Sequence, residues 1–224
     1  MTRAFWLLGA LLSLAGCKTG ATASFPVGVE VSVDASELSL PETLRDGSTI
    51  ASVPCGPMGM CPTSAEAPIT CEAGVCDPAP RTVSLLVGEV DIDEAAGDVS
   101  EIFDSIDTLK IDDVTYRIEA NTLTVPTTDL EIFWGPVTAV GIDESMGVRR
   151  LGVMPALAAG ATGEGQVVLD AAGSAALTQY FESTSHQFRF FVRTTIDLEP
   201  GQPWPEGRLE AAVRMAITLE GSLL

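Results

Sequence analysis

Histidine, aromatic residues and basic residues are scarce in this sequence, and each scarcity argues against a class of function. His186 is the only histidine among 224 residues, so any Ser-His-Asp or Cys-His catalytic arrangement has to use it. No serine lies in a G-x-S-x-G motif. His186 opens a predicted strand, where a solvated histidine at a strand edge is the ordinary interpretation. The sequence therefore predicts no enzyme, no catalytic residue and no cofactor.

Positive charge is also scarce, with 12 Lys and Arg against 31 Asp and Glu, which gives a formal net charge of −19 at pH 7. Such a surface repels phosphate backbones, so nucleic acid is excluded as a partner. Hydrophobic residues make up 46% of the chain, too many for a disordered acidic chain. No apolar run after residue 16 reaches about 18 residues, so no transmembrane helix is predicted.

The first 16 residues have the pattern of a secretory signal peptide. Arg3 supplies the positive charge, and an apolar run follows over residues 4–14. This run is too short to span a hydrocarbon layer of about 30 Å. We therefore expect residues 1–16 to be removed as a signal peptide during export.

The residues at the expected cleavage site are Leu14-Ala15-Gly16-Cys17. This tetrapeptide resembles the lipobox of bacterial lipoproteins, in which a Leu, two small residues and a Cys direct lipid to the sulfur atom. The resemblance implies that Cys17 becomes a lipidated N-terminus anchored in a membrane. Lys18, in place of an Asp, implies the outer membrane. The alternative is an ordinary signal peptide with Cys17 in a disulfide.

The mature chain is expected to begin with a flexible tether over residues 17–25, because most of these residues are small or polar. A single domain is predicted over residues 26–224. Its first strand is indicated by valines that alternate with other residues at period two, namely Val27, Val29, Val31 and Val33.

Alternation predicts further strands, and helical spacing predicts two short helices. The strands are expected at 82–92, 109–119, 129–137, 148–153, 166–170, 188–196 and 209–219, and the helices at 98–106, with Asp98 as N-cap, and at 175–182. A change of phase at Asp112-Asp113 predicts a β-bulge. The last two strands flank a Pro/Gly-rich loop, which predicts an antiparallel hairpin. The fold class is therefore mainly β, an antiparallel β-sandwich of about 7–9 strands with two short helices.

Residues 54–80 form an insertion rich in Cys, Pro and Gly. It contains Cys55, Cys61, Cys71 and Cys76 with the spacing C-x5-C-x9-C-x4-C. In an exported protein this even set favours two disulfides. A zinc site is the rival, but the spacing departs from the usual pattern of zinc ligands. Local pairs, Cys55–Cys61 and Cys71–Cys76, are expected because short loops close with the least entropy.

Two further features could bind a ligand. Asp91, Asp93 and Asp98 are close in sequence and could hold calcium, but they depart from the EF-hand pattern, so a solvated loop is favoured and no metal is predicted. Trp134 and Trp204 could form a ligand platform, or they could close the ends of the sandwich, which is favoured.

These features predict a lipid-anchored envelope protein with a binding or structural role. Its partners would be the membrane, through the lipid on Cys17, together with other envelope proteins or surface glycans. The alternatives are a calcium-dependent adhesin, a carbohydrate-binding module and a hydrolase that uses carboxylates alone.

Overall fold

The structure is a computed structural model that describes residues 20–38, 40–62, 68–97, 103–183 and 185–223. Its regular elements in chain order are β1 (Gly20–Asp34), β2 (Arg45–Asp46), β3 (Thr49–Ile50), β4 (Ile69–Glu72), β5 (Val75–Pro78), β6 (Arg81–Asp91), α1 (Ile92–Ala96), β7 (Phe103–Asn121), β8 (Leu130–Pro136), β9 (Arg149–Met154), β10 (Gly163–Gln166), β11 (Val168–Leu169), α2 (Ala171–Ser183), β12 (Gln187–Ile196) and β13 (Arg208–Leu223). Nine of these strands form two antiparallel sheets, which confirms the predicted fold class. Within the described ranges no helix is long and apolar enough to cross a membrane.

The first sheet has the strand order β1-β13-β7-β10. β1 pairs with β13 along its whole length, from Gly20 opposite Ser222 to Asp34 opposite Arg208. The expected tether is therefore wrong for residues 20–25, which lie in β1. Small and polar residues can take part in a sheet because the ladder is formed by backbone groups.

The second sheet has the order β11-β9-β8-β12-β6. The expected C-terminal hairpin is wrong, because β12 pairs with β6 and β8 while β13 pairs with β1 and β7. Residues 197–207 carry the chain from one sheet to the other. The alternation in both strands was interpreted correctly, but it reports which face is buried and not which strand lies alongside.

β7 occupies residues 103–106 of the helix predicted at 98–106, and residues 98–102 lie outside the described residues. Phe103 and Ile106 lie in this strand, and Asp98 lies outside the described residues. The predicted bulge is confirmed, since Ile111 pairs with Ile217 and Asp113 with Ala216, which leaves the intervening Asp112 without an opposite residue. The helix predicted at 175–182 is confirmed as part of α2.

The main core lies between the two sheets. Every second residue of β12 and of β13 is buried there: Phe188, Phe190, Val192, Thr194, Ile196, Leu209, Ala211, Val213, Met215, Ile217 and Leu219. β1 buries Val27, Val31 and Val33 in the same core. A second small cluster, formed by Phe133, Ala139, Val148 and Phe191, lies apart from this core.

The strand directions define two poles of the sandwich. The first pole contains the start of β1, the end of β13 and the start of β12. The second pole contains the end of β1, the end of β12 and the start of β13, because residues 197–207 connect the last two. The loop before the insertion is joined to this second pole by hydrogen bonds from Ile50 N to Gln202 O and from Trp204 N to Ser48 O, both 2.8 Å.

Candidate functional site

The insertion contains two disulfides that cross each other in sequence. Cys55 is bonded to Cys71 and Cys61 to Cys76, so disulfides were predicted correctly and the local pairing was wrong. Loop-closure entropy ranks the possible disulfide pairings by their cost in the unfolded chain. The pairing that forms depends instead on which sulfur atoms the folded backbone brings together. Cys55 N bonds to Gly74 O at 3.0 Å and Cys76 N to the carbonyl of residue 53 at 2.8 Å. The preceding segment therefore lies along the β4–β5 hairpin and shares its cysteines.

We call residues 54–78 the stapled module. It extends from the second pole, between the loop at Ile50 and the start of β6 at Arg81. Among its described residues, the exposed large apolar side chains are Met58 and Met60, which are 94% and 57% exposed. The module has no Lys or Arg in its sequence. It therefore presents two methionines on an acidic, covalently cross-linked support.

Asp77 is a carboxylate of the module whose ionised form is disfavoured by its surroundings. Its Oδ1 atom is buried and has no hydrogen-bond partner within the described part of the chain. Burial raises the pKa of Asp77, and the negative charges of Glu72 and Glu199 raise it further. Ionised Asp77 therefore opposes folding of this region at neutral pH.

Both candidate platform tryptophans are buried, so the ligand platform is wrong. Trp204 is 7% exposed and Trp134 is 3% exposed. Trp204 lies at the second pole with the guanidinium of Arg45 5.2 Å from its ring centroid. Trp134 donates from Nε1 to Gly173 O at 3.0 Å, which joins β8 to α2. Their roles in this structure are packing roles.

Asp91 and Asp93, which were candidates for binding calcium, each make hydrogen bonds within the protein. Asp91 caps α1 by accepting from Asp93 N at 2.9 Å and Glu94 N at 3.1 Å. A hydrogen bond from Gln187 is the main reason that the pKa of Asp91 is lowered. Asp98, the third residue of this candidate cluster, lies outside the described residues. Within the described ranges, the only group of three or more possible ligands close enough to share a metal ion consists of cysteines.

His186 lies at the first pole and packs against its neighbours. Its ring stacks on Phe181 with a centroid distance of 4.1 Å, and its Nδ1 is 2.8 Å from Oδ1 of Asp93. Its side chain is 35% exposed. These contacts make it a partly solvated histidine at a strand end, as expected.

A shallow polar depression lies on the second sheet. Glu131 is 3.3 Å from Nη1 of Arg150 and 2.6 Å from Nη2 of Arg193, and Arg150 also contacts Asp170 at 3.1 Å. The residues that line this depression include no aromatic side chain, so it lacks the flat apolar surface on which a sugar ring would stack. Glu131, Arg150 and Arg193 are therefore paired within the protein, and the depression favours no particular ligand.

Comparison with known proteins assigns no family. No family model and no curated protein matches the sequence. Among solved structures, a chain of desmodium yellow mottle tymovirus is 9% identical with a TM-score of 0.35 and a coverage of 97% of both chains. A chain of the infectious bursal disease virus Gx strain is 10% identical with a TM-score of 0.26, covering 96% of this chain and 58% of that one. These scores are too low to support an argument about fold or function.

Proposed function

We propose that this protein is a lipid-anchored envelope protein whose sandwich holds the stapled module away from the membrane, in a binding or structural role. The observation that carries the proposal is the position of β1. It begins at Gly20, three residues after Cys17, and runs to the second pole at Asp34. A lipid on Cys17 would therefore be attached close to the first pole.

The length of β1 sets how far the module would stand from the lipid. Three residues extend over about 10 Å at most, which is a short link for a domain of this size. A strand of 15 residues rises by about 3.3 Å per residue, or about 45–50 Å in all. With the first pole at the lipid surface, the stapled module at the second pole would reach other envelope proteins or surface glycans.

The cross-links of the module support an exported protein. Disulfides form and persist in oxidising compartments and are rare in the cytosol. The module lies outside the main core, and among its described hydrophobic side chains only Ile69 packs against that core. Covalent bonds would therefore keep its shape where hydrophobic burial is small.

Two experiments test the proposal. Replacing Cys17 with Ser is expected to release the protein from the membrane fraction and to abolish incorporation of labelled fatty acid, since only the sulfur accepts the diacylglycerol. A variant that remains with the membranes and still incorporates the label would refute the anchor. Thr19→Ser, which leaves the cysteine in place, is the control.

The orientation is tested with one fluorophore at either pole. Ser24 and Ser48 are both exposed, Ser24 near the start of β1 and Ser48 at the second pole. In vesicles that contain an acceptor lipid, a label on Ser24→Cys is expected to transfer energy strongly and a label on Ser48→Cys weakly. Equal transfer from both positions would mean that the sandwich lies flat on the membrane, contrary to the proposal.

A further inference from the structure

The stapled module carries its two methionines on residues 56–60, which we call the methionine turn. Gly56 N donates to Met60 O at 2.8 Å, and this hydrogen bond closes the turn. The residues that flank the turn, Cys55 and Cys61, are each held by a disulfide. The turn is therefore fixed at both ends, and it holds both of its methionines in the solvent.

Reduced sulfur in the described part of the chain is found only in methionine, because each described cysteine forms a disulfide. The methionines differ widely in exposure. Met58 and Met60 are the most exposed, Met146 is 37% exposed, and Met154 and Met215 are only 2% and 3% exposed. A dissolved oxidant therefore reaches the sulfur atoms of the methionine turn more easily than those of the other methionines.

We propose that Met58 and Met60 form a modification site at which hydrogen peroxide oxidises both thioethers to sulfoxides while the protein stays folded. Each reaction transfers one oxygen atom. The sulfur atom attacks the peroxide, the O–O bond breaks as an S–O bond forms, and the displaced oxygen takes the proton of the transferred oxygen and leaves as water. Each sulfur atom loses two electrons, which reduce one peroxide molecule.

The position of the methionine turn allows this change without loss of the fold. A sulfoxide is polar, and at an exposed position water supplies its hydrogen bonds. Met58 and Met60 do not belong to the main core, whereas Met154 and Met215 do. A sulfoxide at either core position would bury a polar oxygen among apolar side chains and destabilise the protein. Oxidation of the turn changes the surface and leaves the core intact.

The modification changes the character of the module's surface. In the reduced protein, the exposed large apolar side chains among the described residues of the module are those of Met58 and Met60. A thioether is flexible and apolar, and such side chains are common at binding surfaces. The sulfoxide is polar, so the two oxidation states present different surfaces at the same place. This site depends on exposure alone, and it does not require the lipid anchor.

The test treats the purified full chain, in detergent, with hydrogen peroxide and measures the oxidation of each methionine over time by peptide mass spectrometry. We expect Met58 and Met60 to react about tenfold or more faster than Met154 and Met215, with Met146 between the two groups. In urea, which exposes all of them, the rates should agree within about twofold. Equal rates in the folded protein, or the same order in urea, would overturn the proposal.

Two variants test the change of surface. Met58→Leu/Met60→Leu keeps the apolar volume of the turn but cannot be oxidised there, and Met146→Leu is the matched control that leaves the turn unchanged. After oxidation that is stopped before the other methionines react, the wild type and the control should elute earlier from a hydrophobic-interaction column, whereas the double variant should keep its retention.

Thermal unfolding of the same samples tests whether the fold tolerates the modification. The Tm of the oxidised wild type should stay within about 1 °C of that of the reduced protein. A fall of more than about 5 °C would contradict the proposal, because the modification would then damage the fold. Unchanged retention of the wild type, once both methionines of the turn are sulfoxides, would contradict it as well.

Discussion

Gly207 and Gly201 offer a matched test of how the loop between the two sheets is built. Both have φ +88°, a left-handed conformation that L side chains rarely adopt. They differ in their surroundings. A Cβ atom at Gly207 would lie 2.0 Å from the carbonyl oxygen of Thr122, whereas a Cβ atom at Gly201 has nothing within 4 Å. Alanine at either position therefore has the same backbone penalty but a different steric one.

The expected magnitudes follow from these two terms. Gly201→Ala should lower the free energy of unfolding by about 1–2 kcal/mol, the left-handed penalty for one residue. Gly207→Ala adds a clash with backbone, which cannot rotate away, and overpacking costs about 1–3 kcal/mol more. The shift would also disturb the bond from Ala35 N to Gly207 O, now 3.0 Å. We expect a total of about 2–5 kcal/mol for Gly207→Ala.

Urea unfolding followed by tryptophan fluorescence measures both variants, because Trp204 lies between the two glycines. In thermal unfolding, at about 2–4 °C per kcal/mol for a chain of this size, Gly207→Ala should lower Tm by about 4–20 °C and Gly201→Ala by about 2–8 °C. Equal losses for the two variants would show that Thr122 does not restrict position 207. The close approach of this loop to the end of β7 would then be wrong.

Three further predictions concern the module and the core. Non-reducing peptide mapping should recover Cys61 joined to Cys76, and replacing both by Ser should lower the stability of the module by about 3 kcal/mol in urea unfolding. Asp77→Asn should be more stable than the wild type at pH 7. The pKa of Asp77 is raised in the folded protein above its ordinary value of 3.8. The wild type is therefore fully stable with respect to this group below pH 3.8, where Asp77 is protonated, and loses stability as pH rises through the folded pKa. The stability advantage of Asp77→Asn should therefore vanish at low pH, which thermal unfolding measures. Trp134→Phe removes the hydrogen bond to Gly173 and should cost about 1–3 kcal/mol, measured by circular dichroism.

Local patterns predicted the individual elements well where one face of a strand or helix is buried. Val27 to Val33 alternate and form part of β1, and the change of phase at Asp112 marks a real bulge. The pattern at 98–106 was misleading, because Phe103 and Ile106 fit helical spacing and yet lie in a long strand. Residues 103–106 pair with β13, and the backbone hydrogen bonds of this pairing outweigh the local preference for a helix.

The candidate site was predicted in composition and not in geometry. The sequence identified Cys55, Cys61, Cys71 and Cys76 as a disulfide set, but loop length gave the wrong partners. No signal in the sequence places the two disulfides side by side, because their contact depends on how the preceding segment lies along the β4–β5 hairpin. Asp77 was not singled out, since only tertiary structure reveals a buried carboxylate oxygen without a partner.

By itself, the sequence determined what is encoded by the order of neighbouring residues: the strand-rich class, the buried face of each strand, the cysteine set and the expectation of a lipid at Cys17. Tertiary structure alone decided which elements meet. It put β12 and β13 in different sheets, buried both Trp134 and Trp204, and extended β1 to Gly20. The physical reason is that periodicity reports only which residues along a strand are buried. Strand pairing, disulfide pairing and the assignment of each strand end to a pole depend on contacts between residues far apart in the chain.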